Sequence, residues 1–189
     1  MFKATVELKS MAGSPYSQSK YYKTPRLDRE TSADYETRTW RDRCHVNEDG
    51  NIFIPPMAFK NCLSEAAKFM GKQIPGKGKS TYTKHFEAGV LVMDPVTLPV
   101  AKDQVEGEWL FVPADGRRGS GSRVEKCFPV IRQWEGQIAF YILDGTITKS
   151  VFMEHLKEAG SFIGLGRFRP RNNGFNGRFT AELVSWEEV

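Results

Sequence analysis

Three histidines, three cysteines and no apolar run of membrane-spanning length: this 189-residue sequence is poor in the groups most catalytic and metal chemistries need. Cys44, Cys62 and Cys127 are odd in number and far apart. They fit neither a disulfide framework nor a zinc spacing, so the chain reads as a cytosolic protein with reduced thiols. The N-terminal Met1-Phe2-Lys3-Ala4 has no signal-peptide core, and no membrane partner is expected. No cluster of His, Cys and acids suggests a metal, no Walker loop is present, and no Ser/His/Asp constellation can be argued, so neither metal nor cofactor is expected. Gly164-Leu165-Gly166 follows a helical pattern, which removes the strand-turn-helix context of a dinucleotide fingerprint.

Hydrophobic residues make up 40% of the sequence and aromatics 12%, enough for a buried core. The length suits a single domain over residues 1–189, with insertions at about 14–47, 72–86 and 107–132. A net charge of +4 is too modest to identify a partner. Its distribution is more informative, because the basic residues gather in the stretches that lack periodicity.

Phe2, Ala4, Val6 and Leu8 alternate with polar residues as in a half-buried strand. Ile52–Ile54 reads as a short strand, and Pro55-Pro56 opens a helix in which Phe59, Cys62, Leu63, Ala66 and Met70 share a face until Gly71. Strands are expected over 86–93, 108–113, 124–132 and 137–143. Thr148 is a candidate N-cap for a helix over 149–158, with Gly160 ending it, and residues 178–186 read as the last strand. This order predicts an α+β fold: a ferredoxin-like, split β-α-β core with an antiparallel sheet, helices on one face and basic loop insertions, the 107–132 strands forming a hairpin.

Three stretches carry the chemistry. Residues 164–179 hold four glycines, four arginines and three phenylalanines. Glycines let backbone approach a ligand closely, arginine forks match phosphate, and phenylalanine faces stack on bases. Gly164, Gly166, Arg167, Phe168, Arg169, Arg171 and Arg178 are therefore nucleic-acid-binding candidates, with Phe179 read as a core anchor. In the long stretch from Tyr16 to Arg43, Lys20, Tyr22, Lys23, Arg26 and Arg41 interleave cations with aromatics, which suits a single strand. A solvated loop whose aromatics pack inward fits equally. Lys77 and Lys79 belong to a basic, glycine-rich finger over 72–84, and Asp115–Arg123, which includes Arg118, is a third basic turn. Lys60 lies near a helix N-terminus, where a cation opposes the macrodipole and is either solvated or placed to meet an anion.

Ile54-Pro55-Pro56-Met57-Ala58-Phe59-Lys60-Asn61-Cys62-Leu63 resembles the opening of the first helix in the RAMP superfamily, the RNA-binding subunits of CRISPR effector complexes. Gly164–Arg169 with Gly174–Phe179 resembles that superfamily's glycine-rich loop before its final strand. The likeness is to the repeated, backbone-forming subunit more than to the repeat-cleaving endonuclease. It implies an RNA-recognition-motif core with thumb- or finger-like insertions, and binding of the guide-RNA backbone in an oligomer with copies of itself and other effector subunits. Lys60 would then face phosphate. Single-stranded RNA is the implied ligand, with single-stranded DNA the other chemistry that fits.

A phage-encoded relative or inhibitor, acting through protein contacts, is one alternative. A metal-independent endoribonuclease on the same fold is another. For cleavage the candidates are His45, beside Trp40, Arg41 and Arg43, and Asp42 in the same stretch. A lone histidine in a basic loop is more often a binding residue, so the sequence reads as a non-catalytic binder.

Overall fold

The computed structural model describes residues 1–117, 119 and 121–189. Its main sheet has four antiparallel strands in the order β4-β8-β1-β9: β1 (Phe2–Ser10), β4 (Val90–Val92), β8 (Glu135–Ile142) and β9 (Phe179–Glu188). β1 is central, pairing with β8 from Phe2↔Ile142 to Lys9↔Glu135 and with β9 along its other edge. Strict alternation fixes which face is inside. Ala4, Val6 and Leu8 are fully buried, and they join one core cluster with Phe59, Leu63 and Ala66 of α2 (Pro56–Met70) and Phe152 and Leu156 of α4 (Lys149–Glu158). Each such large apolar side chain contributes roughly 1.5–3 kcal/mol on burial. β9 carries one extra residue opposite Thr5 and Val6, so the alternation shifts and Val184 is exposed.

The two core helices form for local reasons. Pro56 takes the first helical position of α2, and Gly71 ends the helix in the left-handed region at φ +55°, its N–H donating to Ala67 O at 3.1 Å. Thr148 caps α4, its Oγ1 accepting the Val151 N–H at 3.4 Å. Gly160 does not end the helix as the sequence suggests. The chain continues through a π-helical turn, Ala159–Ile163. A Cβ at Gly160 would lie 2.1 Å from Phe179 O, so this glycine serves the contact with β9.

Smaller sheets flank the main one. β2 (Tyr16–Ser17), β7 (Arg123–Ile131) and β6 (Glu106–Pro113) form a three-stranded sheet in the order β2-β7-β6. The β6–β7 pair is antiparallel, the hairpin expected from the sequence, and Arg118 of its basic turn lies outside the described residues. β3 (Asn51–Ile54) pairs with β5 (Val96–Ala101), a strand the sequence reading lacked. The expected strand over 86–93 is instead α3 (Thr83–Gly89) followed by the three residues of β4.

The Tyr16–Arg43 stretch is also more ordered than its pattern suggests. It contains α1 (Ser32–Thr39) and a 3-10 turn, Trp40–Arg43. α1 begins with a capping pair in which Thr31 Oγ1 accepts the Asp34 N–H at 3.1 Å and donates to Asp34 Oδ2 at 2.6 Å. Cys44, Cys62 and Cys127 are buried and unpaired. No helix among the described residues is long and apolar enough to cross a membrane.

Candidate nucleic-acid interface

The glycine-arginine loop is folded onto itself and onto β2. Leu165 is buried, its N–H donating to Gly177 O at 2.9 Å, while the Arg167 N–H donates to Ser17 O at 2.7 Å and the Gly177 N–H to Pro15 O at 2.8 Å. Gly166 and Gly177 have φ of +73° and +78°, and a Cβ on them would meet Ser17 O at 2.1 Å and Leu165 O at 1.9 Å. At Gly164 an added Cβ would meet Pro170 Cδ at 2.6 Å. The glycines thus allow protein backbone to approach protein backbone, a use the sequence cannot distinguish from approach to a ligand.

Its arginines are placed one by one. Arg169 Nη2 lies 2.8 Å from Glu65 Oε2 and Arg171 Nε 3.2 Å from Glu65 Oε1, so one carboxylate on α2 holds both. Arg178 donates from Nε to Ser161 O at 3.0 Å and from its backbone N–H to Ser14 Oγ at 2.9 Å, which ties the loop to the π-helical turn. Arg167 stacks on Phe128, its Cζ 3.6 Å from the ring centroid. Phe168 adopts φ +58°, remains 43% exposed and meets Phe175 edge-on at 5.3 Å. Phe179 is buried in the core, as read from the sequence.

Of the Tyr16–Arg43 candidates, Lys20 and Lys23 project outward, without ion-pair partners among the described residues. Tyr22 is packed inward, its OH 3.1 Å from Thr39 Oγ1 and its ring under the Arg43 guanidinium at 5.4 Å. Arg26 reaches Ser32 Oγ at 3.1 Å and covers Tyr35, and Arg41 lies over Trp40 with Cζ 4.2 Å from the ring centroid. The inward-packing alternative therefore describes these aromatics. Lys77 and Lys79 are exposed on the finger, which is closed by the Gln73↔Thr81 bridge and carries buried Ile74 as its anchor.

Lys60 is partly buried and turned onto the chain itself. Its ammonium donates to Ser64 Oγ at 2.8 Å, Phe86 O at 2.7 Å and Glu87 O at 2.9 Å. The last two carbonyls belong to α3, where a cation is favoured by the helix dipole. Burial lowers the pKa of this lysine, against a smaller opposing effect of Glu87. All three of its donors are used within the chain.

Asp42, a catalytic candidate, is held by Lys102 Nζ at 2.5 Å and Thr24 Oγ1 at 2.6 Å. Burial pushes its carboxyl up, but these two partners outweigh it and hold the group below the ordinary range. An ionised, paired carboxylate of this kind is a structural tie. His45 is half-buried, its ring 5.5 Å from that of Phe53, and burial followed by the charge of Lys20 lowers its pKa. It lines a cavity of about 300 Å³ together with Gln18, Gly166, Arg167 and the start of α2. The structure thus unites three sequence candidates, His45, Gly166 and Arg167, from distant segments. Among the described residues no His, Cys, Asp and Glu side chains group as a metal-ligand set.

Three residues of this region escaped the sequence reading. Glu65 carries the two loop arginines, and Gln18 contributes to the cavity wall. Glu36, 2% exposed, accepts from Arg43 at 2.7 and 3.2 Å, from Lys126 at 3.1 Å and from the Cys127 N–H at 2.8 Å, pinning α1 to β7. A glutamate on an unremarkable helix gives no local sign of such partners.

No family model matches the chain, and no curated protein does. Solved structures do. A chain of the type III-B Cmr-beta complex bound to cognate target RNA aligns with a TM-score of 0.50 and 11% identity, over 98% of this chain and 60% of that one. The crystal structure of Cmr6 from Pyrococcus furiosus aligns with a TM-score of 0.49 and 14% identity, over 96% of this chain and 99% of that one. A chain of a CRISPR RNA-guided surveillance complex aligns with a TM-score of 0.37 and 10% identity, over 92% and 66%. The present chain spans about 60% of the Cmr-beta chain it matches. At the level of fold, the chain is an α+β protein built on antiparallel sheets, similar to the matched Cmr-beta chain.

Proposed function

We propose that this chain is a single-stranded RNA-binding subunit of a CRISPR-type ribonucleoprotein, gripping guide-RNA backbone and assembling with copies of itself and other subunits. In this reading residues 1–189 form one domain with a ferredoxin-like, RNA-recognition-motif core, and the α1 and β6–β7 segments and the 72–84 finger are insertions on it. The observation that carries the proposal is the fold match along 98% of the chain to a component of an RNA-bound complex. Support comes from Lys20, Lys23, Lys77 and Lys79, which are exposed without ion-pair partners among the described residues and so are available to phosphates. Arg169 and Arg171 are engaged by Glu65, which competes with phosphate for them. The reading is of a binder, because Asp42 is tied to Lys102 and no carboxylate lines the cavity beside His45 among the described residues.

The experiment is purification at low salt, with extraction of any co-purifying nucleic acid and digestion by RNase or DNase. RNA of discrete length in a particle larger than 21.4 kDa supports a guide-binding subunit. A nucleic-acid-free monomer that fails to shift single-stranded RNA or DNA overturns the reading in favour of a protein-interaction module.

A further inference from the structure

The chain holds two Asn-Gly pairs, Asn173-Gly174 and Asn176-Gly177, and both lie in the glycine-arginine loop. Asparagine amides are among the heat-labile groups of proteins. They are most exposed to attack when glycine follows, because the glycine backbone nitrogen can swing onto the asparagine Cγ with no side chain in its way. In a folded protein the rate is set by how much structure must open to bring that nitrogen onto the amide.

The fold treats the two pairs oppositely. Asn176 is 5% exposed, and its backbone N–H donates to Phe168 O at 3.0 Å. The Gly177 N–H donates to Pro15 O at 2.8 Å, and its carbonyl accepts the Leu165 N–H at 2.9 Å. Freeing Gly177 N therefore means lifting the loop away from Pro15 and uncovering buried Leu165.

Asn173 follows the 3-10 turn Pro170–Asn172, none of whose residues is buried. It is exposed, and its side-chain amide carries no hydrogen bond among the described residues. Its backbone sits in the left-handed region at φ +62°, which a residue with a side chain holds at a cost. The Gly174 N–H is restrained by one bond, to Arg169 O at 3.1 Å, on an oxygen that also accepts the Asn172 N–H at 2.9 Å. Opening this turn uncovers no buried side chain of its own.

We propose that Asn173 is a deamidation site, the one of the two Asn-Gly pairs that reacts in the folded protein. Gly174 N gives up its proton and bonds to Asn173 Cγ. The Cγ–Nδ2 bond breaks, and the amide leaves with that proton as ammonia. The product is a five-membered succinimide. Water then opens the ring at Cγ to give aspartate, or at the backbone carbonyl to give isoaspartate. One water is consumed and one ammonia released, and no oxidant or reductant takes part. Either product adds a carboxylate two residues from Arg171, and isoaspartate also lengthens the backbone where the turn closes. A loop altered in this way holds RNA less tightly; that consequence rests on the RNA-binding reading, and the modification does not.

The test is incubation of the intact protein at mildly alkaline pH, beside a sample held unfolded in urea. Peptide mapping by mass spectrometry follows the amide-to-acid exchange at each asparagine, and an isoaspartyl methyltransferase reports isoaspartate. Asn173→Gln serves as the site-blocked control, and the comparison of the two pairs within the unmodified chain needs no variant. In the folded protein, conversion at Asn173 is expected to run about tenfold or more faster than at Asn176, and in urea the two rates should converge.

Equal rates at the two sites in the folded protein, or an Asn173 that reacts only in urea, overturns the proposal. A difference that persists in urea also overturns it, because the selection would then not come from the fold. Deamidated protein that binds single-stranded RNA as tightly as fresh protein removes the consequence and leaves the modification standing. Deamidation of a protein that binds no RNA upholds the modification and overturns the RNA reading.

Discussion

Glu65 holds two of the four arginines of the loop, so its removal is an informative perturbation of RNA binding. Its carboxylate meets Arg169 at 2.8 Å and Arg171 at 3.2 Å, with side chains 29%, 23% and 49% exposed respectively. Partly exposed pairs of this kind are worth about 0.2–1 kcal/mol each, so Glu65→Gln should cost the fold less than about 2 kcal/mol. The same substitution releases two guanidiniums to meet phosphates. Each single-strand phosphate contact contributes about 0.7 to the slope of log K against log salt, so the slope should steepen by up to about 1.4. Between 200 and 50 mM salt that is an extra gain of about sevenfold in affinity.

The assay is fluorescence anisotropy with a single-stranded RNA over a salt series. Glu48→Gln, an exposed carboxylate in the Asn47–Gly50 turn, serves as the charge-matched control. A Glu65→Gln protein that unfolds normally yet shows the slope and affinity of the control would refute the reasoning. The loop arginines would then be internal ties and nothing more.

Other perturbations separate fold from binding. Lys77→Ala with Lys79→Ala should flatten the salt slope by about 1.4 while leaving the melting temperature alone; an unchanged slope removes the finger from the interface. Gly177→Ala combines φ +78° with a Cβ 1.9 Å from Leu165 O, whereas Gly76→Ala has φ +76° and open space, so urea unfolding should show a loss of roughly 3 kcal/mol or more for the first and about 1 kcal/mol for the second. Equal losses would mean that backbone strain alone, and not the close approach, matters. Glu36→Gln leaves Arg43 buried without its counter-charge and should cost about 3–5 kcal/mol.

Glu36 also sets a pH dependence. Burial raises its carboxyl, but the donors from Arg43, Cys127 and Lys126 prevail and hold it below the ordinary range. A folded-state pKa below the unfolded value, about 4.3 for glutamate, stabilises the protein above that value, and the contribution is lost as pH falls through the folded one. Urea midpoints should therefore fall on acidification less steeply in Glu36→Gln than in the parent. Parallel curves would count against the assignment.

The sequence by itself determined the parts whose causes are local. β1 follows from alternation, α2 and α4 from apolar spacing bounded by Pro56, Gly71 and Thr148, and β9 and the β6–β7 hairpin from pattern and turn residues. α1 is absent from the sequence reading of Tyr16–Arg43: its buried positions are Glu36 and Thr39, so no apolar stripe marks it, and its Thr31 and Asp34 capping pair is the one local sign of its start. β5 has the alternation of a strand in Val96, Leu98 and Val100, interrupted by Pro99, which only an edge position tolerates. α3 was misread because seven residues are too few for periodicity to separate helix from strand.

What the arginines, glycines and Lys60 do was decided by tertiary structure. An ion pair or a backbone approach is settled by residues far apart in the chain, and the same glycine-arginine composition serves a ligand or the protein itself. Glu65 on α2 takes two arginines, α3 takes Lys60, and β2 meets the glycines. Local pattern fixes the φ and ψ of a few neighbouring residues, whereas the partner of a charge is fixed only when the whole chain has closed around it.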